Sequence, residues 1–295
     1  MNNPIGNIKV TVLGDYLSNL VFVGLIKSAL LLPYKTRVRL MGKIVDRLIS
    51  PLAGWPKRIR NNLHYTMPAL APAKVDELTH SVPDTVGRMV IEMYSGKDYF
   101  DRMYDAEISG EGLAPMLEAH ASKRPLILVT GHFANYVSIG PTLKKLGITI
   151  GVLYRPMENR FFNKHYVDAI TYFSDPQFPQ TKQGIVQMVR HIRKGGVMGI
   201  LTDVHAPDGA RTMFMGKPAA TSTVISELAI KNNALLVPIY GVRQPDGINF
   251  KVEVHKPIEL SDALTMTQQI NDDLESMVRR HPEQWFWVHK RWKID

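Results

Sequence analysis

A histidine directly follows an apolar run in the middle of this sequence. The run Leu126–Thr130 reads LILVT, and Gly131 and His132 come next, ahead of a small polar loop. A short continuous apolar run that ends at a glycine is typical of a buried β-strand. A neutral histidine at the end of such a strand can take a proton from a hydroxyl group. His132 is therefore the first candidate for a general base.

Three further apolar runs also end in polar side chains. Ligands of α/β sheets bind beyond the carboxyl ends of the strands, so we expect these side chains to converge on one site. A carboxylate there could hold the histidine ring, and an arginine could bind phosphate or carboxylate through two hydrogen bonds. Taken singly, each has a structural explanation, such as a core histidine, a solvated arginine or a helix-capping aspartate. The polar residues after the four runs are His132 and Asn135, then Arg155, Glu158 and Asn159, then Asp203, His205, Asp208 and Arg211, and finally Arg243.

Several classes of protein lack their signatures in this chain. The absence of cysteine excludes disulfides, thiolate zinc sites and cysteine nucleophiles. No Gly-x-Gly-x-x-Gly run, Walker loop or Gly-x-Ser-x-Gly elbow occurs, which argues against dinucleotide enzymes, P-loop NTPases and α/β-hydrolases. His205 has no second ligand at the spacing of a metal site, so we expect neither a metal nor a cofactor. The basic residues are spread out and no nucleic-acid-binding motif is present, so we expect no nucleic-acid partner.

The apolar runs alternate with stretches of helical periodicity. The runs read PLILVTGH, ITIGVLYRP, GGVMGILTD and ALLVPIYGVR, and NFKVEVHKPIEL adds an alternating strand near the end. Strand–helix alternation predicts βαβ units. We therefore predict an α/β fold with a mixed, largely parallel central sheet flanked by helices, as one domain over residues 49–295.

The first part of the chain has the pattern of a membrane-contacting segment, which we assign to residues 1–48. Residues 20–32 are mostly apolar, but Lys27 interrupts them and Pro33 ends the helix. A spanning helix needs about 20 apolar residues, so we favour a helix in the membrane interface or a marginal anchor. The alternative is an amphipathic helix packed on its own domain. The residues expected at the membrane are Leu20, Phe22, Leu25, Leu31, Lys35, Arg37 and Arg39.

The charge of the chain favours an acidic partner. The formal net charge is +9, and basic residues follow the apolar segment closely. Each basic residue near an anionic lipid surface contributes about 1 kcal/mol to binding. An anionic membrane surface and an acidic carrier protein both fit this balance.

Five stretches together resemble one known family. They lie in family order between residues 125 and 293, and they read VTGHFANYVSIGP, GVLYRPMENRFFN, GIVQMVRHIRKGGVMGILTDVHAPDGA, MFMGKPAATSTVISELAIKNNALLVPIYGVR and HPEQWFWVHKRWK. The chain is similar to the lipid A biosynthesis acyltransferases, the late lauroyl/myristoyl-type enzymes of Gram-negative bacteria. These belong to the wider group of lysophospholipid and glycerolipid acyltransferases.

The resemblance implies a membrane-associated O-acyltransferase with a glycerolipid-acyltransferase-like fold. Such an enzyme moves a fatty acyl chain from acyl carrier protein, or from acyl-CoA, to a hydroxyl of a lipid A precursor or related membrane lipid. It acts at the cytoplasmic face of the bacterial inner membrane. His132 takes the role of general base, with Asp203 and Glu158 as further catalytic candidates. The residues that the resemblance and the strand ends assign to substrate binding are Asn135, Arg155, Asn159, Asp208, Arg211, Gly216 and Arg243. The other matching positions are Pro218, Ala219 and Ala220 in the fourth stretch and Trp287, His289 and Arg291 in the last.

One position departs from the family pattern. The family has a glutamate or aspartate five residues after the histidine, where this chain has Val137. Valine cannot accept a hydrogen bond from the imidazole ring. Three explanations stay open: another carboxylate orients His132, the protein binds lipid or carrier protein without catalysis, or Val137 is an altered form of an active enzyme. An acyltransferase for another lipid, such as an aminolipid or lysophospholipid, is a further alternative. The candidate carboxylates are Glu92, Glu158, Asp203 and Asp208.

Overall fold

The computed structural model describes residues 8–293. Residues 1–7 of the predicted membrane-contacting segment and residues 294–295 of the predicted α/β domain lie outside this range. The helices are α1 (Ile8–Leu30), α2 (Tyr34–Ile44), a π-helical turn (Val45–Ile49), α3 (Ser50–Leu52), α4 (Trp55–Thr66), α5 (Pro72–Tyr94), α6 (Lys97–Tyr104), α7 (Leu113–Ala121), α8 (Ile139–Lys144), α9 (Arg160–Ile170), α10 (Lys182–Arg193), α11 (Val224–Asn232) and α12 (Ala263–Arg280), with 3₁₀ turns at Tyr136–Ser138 and Pro282–Gln284. The strands are β1 (Glu107–Ser109), β2 (Leu126–Thr130), β3 (Ile150–Tyr154), β4 (Gln177–Pro179), β5 (Val197–Leu201), β6 (Ala210–Phe214), β7 (Lys217–Thr221), β8 (Leu235–Arg243) and β9 (Phe250–Val254).

A seven-stranded sheet with the order β1-β9-β8-β2-β5-β3-β4 forms the centre of the fold. Neighbouring strands are parallel except for the antiparallel pair β8 and β9. The prediction of an α/β fold with a mixed, largely parallel sheet is confirmed. The four apolar runs of the sequence form β2, β3, β5 and β8, and the alternating run forms β9.

The side chains of β2 supply both apolar layers of the sheet. Leu126 and Leu128 point into one core, whereas Ile127 and Val129 point into the core on the opposite face. This follows from the two-residue period of a strand. All five residues of β2 are buried because helices cover both faces, as expected for the centre of a parallel sheet.

A third apolar core lies among the N-terminal helices and the C-terminal segment. It contains Val38 of α2, Ile59 of α4 and Leu78 of α5, together with Trp285 and Trp287 near the end of the chain. Residues on both sides of the boundary predicted at 48/49 therefore share one core. The division into two segments stays a prediction.

Helix α1 lies against α9 through a few polar and aromatic contacts. Asn159 caps α9, and its amide group donates to the Asp15 carbonyl at 2.8 Å and to the Ser18 hydroxyl at 3.1 Å. The rings of Tyr16 and Phe161 meet edge-on at 5.6 Å. By length and composition, α1 is the one helix among the described residues that could cross a membrane. Its predicted membrane residues are exposed, with Leu20, Phe22 and Leu25 at 50%, 51% and 41%.

Arg37 differs from the other residues predicted to face a membrane. Its side chain is buried, and its guanidinium donates to Asp98 at 2.6 Å and to Ser95 at 3.1 Å. Leu31, Lys35 and Arg39 are exposed, and their contact with a membrane stays a prediction. Arg37 joins α2 to the α5–α6 corner, so it stabilises the fold and does not reach a lipid surface.

Candidate active site

The register between β2 and β5 brings His132 and Asp203 together. Thr130 lies opposite Leu201 in this parallel pair. His132 and Asp203 each come two residues after these partners, so the two chains leave the sheet side by side. The sequence therefore places a histidine and a carboxylate at adjacent carboxyl ends of the sheet, where ligands of such folds bind.

Asp203 accepts three hydrogen bonds that fix the position of His132. The Nδ1 atom of His132 lies 2.8 Å from Asp203 Oδ1, and the backbone N–H of His132 donates to Oδ2 at 2.8 Å. The indole N–H of Trp285 also donates to Oδ2 at 2.9 Å. Asp203 is fully buried, whereas the His132 side chain is 26% exposed. The ring is thus held from one side while its other face stays accessible.

Electrostatics favour a charged Asp203 beside a basic His132. Burial alone would raise the pKa of Asp203, but the His132 ring and its hydrogen bonds hold that pKa well below the usual range. Burial alone would lower the pKa of His132, yet the charge of Asp203 and their shared hydrogen bond raise it above the ordinary value. Since Asp203 accepts from Nδ1–H, the Nε2 atom is the one that can receive a proton.

A second histidine lies against the first. The rings of His132 and His289 are 4.6 Å apart and nearly perpendicular, and His289 Nε2 is 4.0 Å from Asp203 Oδ2. Burial lowers the pKa of His289 to about 4, so this ring is neutral at neutral pH. Its buried Nε2 atom has no hydrogen-bond partner among residues 8–293.

The nitrogen and oxygen atoms of His132, Asp203 and His289 lie within 4.8 Å of one another, close enough to share a metal ion. Both oxygens of Asp203 already accept hydrogen bonds from the protein. The arrangement is that of a base held by a carboxylate, and the expected absence of a metal or cofactor stays a prediction.

The loop after His132 is held by the C-terminal segment and by a buried ion pair. The N–H of Ala134 donates to the Gln284 carbonyl at 2.6 Å, and Phe286 donates to the carbonyl of His132 at 3.0 Å. Asn135 is fully buried, and its amide group donates to Glu92 at 2.9 Å. Glu92 in turn accepts two hydrogen bonds of 2.6 Å from Arg243.

Several residues predicted for the site have other contacts. Asn135 and Arg243 are engaged with Glu92, and Asn159 caps α9, so their polar groups serve the fold in this structure. Arg155 and Glu158 pair with each other at 3.8 Å, with side chains 79% and 95% exposed. Neither shares a hydrogen bond or ion pair with His132 or Asp203 among the described residues. Asp208 and Arg211 are exposed, and Gly216 lies in the tight turn of the β6–β7 hairpin with a positive φ of 69°.

Of the four candidate carboxylates, the structure brings only Asp203 to the His132 ring. Glu92 is bound to Arg243, and Glu158 and Asp208 are exposed. The sequence arguments did not find Trp285, whose indole holds the second oxygen of Asp203. The sequence signal that could have identified Trp285 is its spacing of two residues from Trp287 in the last matching stretch. This spacing places both indoles on the same side of the extended segment, and both are buried in the core.

An apolar cavity of about 110 Å³ lies beside the histidine loop. Val137 lines it together with Gly140, Ile170, Phe173, Gly199 and Ile200. Gly199 leaves room on β5, since a Cβ atom there would lie 3.0 Å from Ile150. Position 137, where the resemblance led us to expect an acid, is therefore part of an apolar wall in this chain.

Comparison with known proteins identifies the family. The model of the bacterial lipid A biosynthesis acyltransferases matches residues 4–294. The chain belongs to this family. It is thus an acyltransferase, and the predicted resemblance is confirmed.

Two curated relatives and one solved structure are similar to the chain. The lipid A biosynthesis lauroyltransferase of Escherichia coli K12 is 26% identical over 288 residues, which cover 92% of this chain and 90% of that protein. A lipid A biosynthesis acyltransferase of Haemophilus influenzae is 21% identical over 259 residues, covering 87% and 81%. A crystal structure of the 1-acyl-sn-glycerophosphate acyltransferase of Thermotoga maritima is 12% identical with a TM-score of 0.39, and the match covers 86% of this chain and 99% of that one.

Proposed function

We propose that this chain transfers a fatty acyl group from a thioester donor to a hydroxyl of a lipid A precursor or related membrane lipid. His132 is the general base and Asp203 is the carboxylate that orients it. The observation that carries the proposal is the 2.8 Å contact between His132 Nδ1 and Asp203 Oδ1, at the point where two parallel strands end. Asp203 takes the place of the carboxylate that the family resemblance implies at position 137, where this chain has a valine.

The reaction follows from which nitrogen is free. Nε2 of His132 takes the proton of the acceptor hydroxyl, and the oxygen attacks the thioester carbonyl carbon. The new oxygen–acyl bond forms, the carbon–sulfur bond breaks, and the proton on Nε2 passes to the departing thiolate. Asp203 stabilises the imidazolium formed between these two proton transfers.

The apolar cavity beside Val137 suits the acyl chain of the donor. Its walls come from β2, β3 and β5 and from α8 and α9, and they reach the last residues of the three strands, next to the loop of His132. An apolar side chain at position 137 fits this role, because a carboxylate would place a charge on the wall.

The donor is acyl carrier protein or acyl-CoA, and the enzyme acts at the cytoplasmic face of the inner membrane. The net charge of +9 suits an acidic carrier protein and an anionic lipid surface. The exposed apolar side chains of α1 provide the membrane contact. Among the two family relatives described above, one has lauroyl transfer in its name, which supports a medium-length acyl chain.

Acyl transfer to lipid acceptors tests the assignment directly. Acyl carrier protein and acyl-CoA donors are offered with lipid A precursors, aminolipids and lysophospholipids as acceptors. We expect His132→Ala and Asp203→Asn to lower the rate by about 100- to 10,000-fold, the usual contribution of a positioned base and its partner. Glu118→Gln is the control, since Glu118 is an exposed carboxylate on α7 with no assigned role in the site, and it should keep the wild-type rate.

Val137→Glu separates the explanations of the missing acid. We expect this variant to lose activity, because Asp203 already holds the ring and the new charge enters the apolar wall. An inactive wild type that Val137→Glu activates would show that Val137 disables the site. No transfer by any variant to any acceptor would favour a protein that binds lipid or carrier protein without catalysis.

A further inference from the structure

A second exposed apolar surface lies on the segment that follows α2. Leu48 is 60% exposed, Ile49 is 39% exposed and Leu52 is 91% exposed. We call these three residues the apolar knob. Contiguous exposed apolar side chains at a protein surface mark an interaction site.

The local backbone explains why the knob faces outward. The chain passes from α2 through the π-helical turn Val45–Ile49 into α3. Gly54, which follows α3, has a left-handed backbone conformation. Val45 and Ser50 are buried on the inner side of this segment. The wider π-helical turn, with its i→i+5 bonds, leaves the residues between them pointing away from the core. The π-helical turn, which carries Leu48 and Ile49, packs on α5, and α3, which carries Leu52, packs on that turn.

Positive charge accompanies the knob. Arg39, Lys43 and Arg47 are exposed and follow one another every fourth residue, so they form one row along the helix. Lys57 adds a further exposed charge after the knob. None of these four side chains makes an ion pair with a side chain of residues 12–293. Basic side chains without acidic partners beside exposed leucines are typical of a surface that meets anionic lipids.

Two aromatic rings connect the knob to the candidate base. Trp55 begins α4, three residues after Leu52, and its ring meets that of Phe286 edge-on at 5.7 Å. The Phe286 ring lies 6.4 Å from the His132 ring, and the backbone N–H of Phe286 donates to the His132 carbonyl. Phe286 therefore links His132 to the start of α4, three residues after Leu52 of the knob.

We propose that Leu48, Ile49 and Leu52 insert into an anionic bilayer, with the basic row at the lipid headgroups, and so present the His132 site to the membrane surface. The proposal deepens the proposed function and rests on its claim that the acceptor is a membrane lipid. A bilayer is favoured over an acidic carrier protein by the exposure of the leucines. A carrier protein would be bound by the basic row, whereas leucine side chains at a protruding turn gain most from entering hydrocarbon.

The absence of cysteine makes a site-specific test possible. Single cysteines are introduced as Leu52→Cys in the knob, Leu20→Cys in α1 and Leu146→Cys as a control, and each is labelled with an environment-sensitive fluorophore. Leu146 is 36% exposed and lies before β3, at the amino ends of the parallel strands and thus opposite His132. The full-length protein is mixed with vesicles of phosphatidylcholine and phosphatidylglycerol, with and without a lipid-borne quencher.

We expect the emission at position 52 to shift to the blue and to be quenched from within the bilayer, while position 146 does not respond. A response at position 20 with none at position 52 would overturn the proposal. A shift at position 52 on adding purified acyl carrier protein, without a shift on adding vesicles, would also overturn it and would assign the surface to the carrier. If position 52 inserts but the protein transfers no acyl group, the membrane contact of the knob is supported and the proposed function is contradicted.

A double variant tests the strength of the contact without a label. Leu48→Ser with Leu52→Ser removes two exposed apolar side chains, so vesicle binding should weaken by about tenfold or more. Both positions are exposed, and the fold should be kept, as circular dichroism would check. Leu146→Ser is the matched control. Equal binding by the double variant and the control would contradict insertion of the knob.

Discussion

At the scale of single residues, the hydrogen bond between His132 and Asp203 decides which ring nitrogen can act. Asp203 occupies Nδ1, so proton transfer falls to Nε2. The sequence offered four carboxylates for this role, and no local pattern distinguishes them. The choice depends on strand register, which pairs Thr130 with Leu201 and is set by the packing of the whole sheet.

The pH dependence of acyl transfer should report this pair. The base form of His132 is the neutral ring, and Asp203 raises its pKa above the ordinary value of 6.5. In the wild type, kcat/KM should therefore rise with pH and level off above an inflection higher than 6.5. In Asp203→Asn the raising charge is gone and burial still lowers the pKa, so the residual rate should inflect at a lower pH. The measurement is a pH profile of kcat/KM for both proteins, and an unchanged inflection would disprove the coupling.

At the scale of elements, the sequence predicted those parts of the fold that local patterns determine. Continuous apolar runs predicted β2, β3, β5 and β8, because buried parallel strands need apolar side chains on both faces. The sequence patterns did not predict the β6–β7 hairpin, in which Met215 and Gly216 adopt positive φ angles of 53° and 69°. Methionine is not a typical residue for that conformation, so the turn carried no clear signal.

The role of Arg243 was also beyond local pattern. A strand-end arginine predicted substrate binding, yet Glu92 of α5 reaches it across the molecule. Glu92 and Arg243 are 151 positions apart in the sequence, so their contact depends on how α5 packs in the fold. Neither sequence segment alone predicts that packing.

The ion pair between Glu92 and Arg243 should support both stability and the histidine loop. Glu92→Gln leaves a buried guanidinium without its charge partner, which costs about 3–5 kcal/mol of unfolding free energy. Replacing both residues, as Glu92→Gln with Arg243→Met, should recover part of that loss because no buried charge remains. Urea denaturation followed by tryptophan fluorescence measures the difference. Glu118→Gln is the control on an exposed glutamate and should stay within about 0.5 kcal/mol of wild type. A Glu92→Gln variant as stable as this control would contradict the role of the pair.

At the scale of the whole molecule, charge and apolar surface meet on one side of the fold. Arg39, Lys43 and Arg47 lie next to exposed apolar residues, and each should add about 1 kcal/mol of attraction to an anionic surface at low salt. Changing all three to glutamine should therefore weaken binding to phosphatidylglycerol vesicles by about 100-fold. In 1 M salt, where the screening length falls to about 3 Å, the variant and the wild type should bind alike. The binding that remains comes from the apolar side chains.

The position of the basic row, and not the net charge alone, should determine this effect. Lys123, Arg193 and Lys194 are exposed near the amino ends of β2 and β5, at the opposite end of the strands from His132. Changing these three to glutamine removes the same amount of charge, so it serves as the matched control. If the row beside the knob faces the bilayer, the control should lose only a small part of its affinity, because charges beyond about 8 Å are screened at physiological salt. An equal loss in the two triple variants, measured by vesicle sedimentation across a salt series, would show that the protein binds without a preferred face.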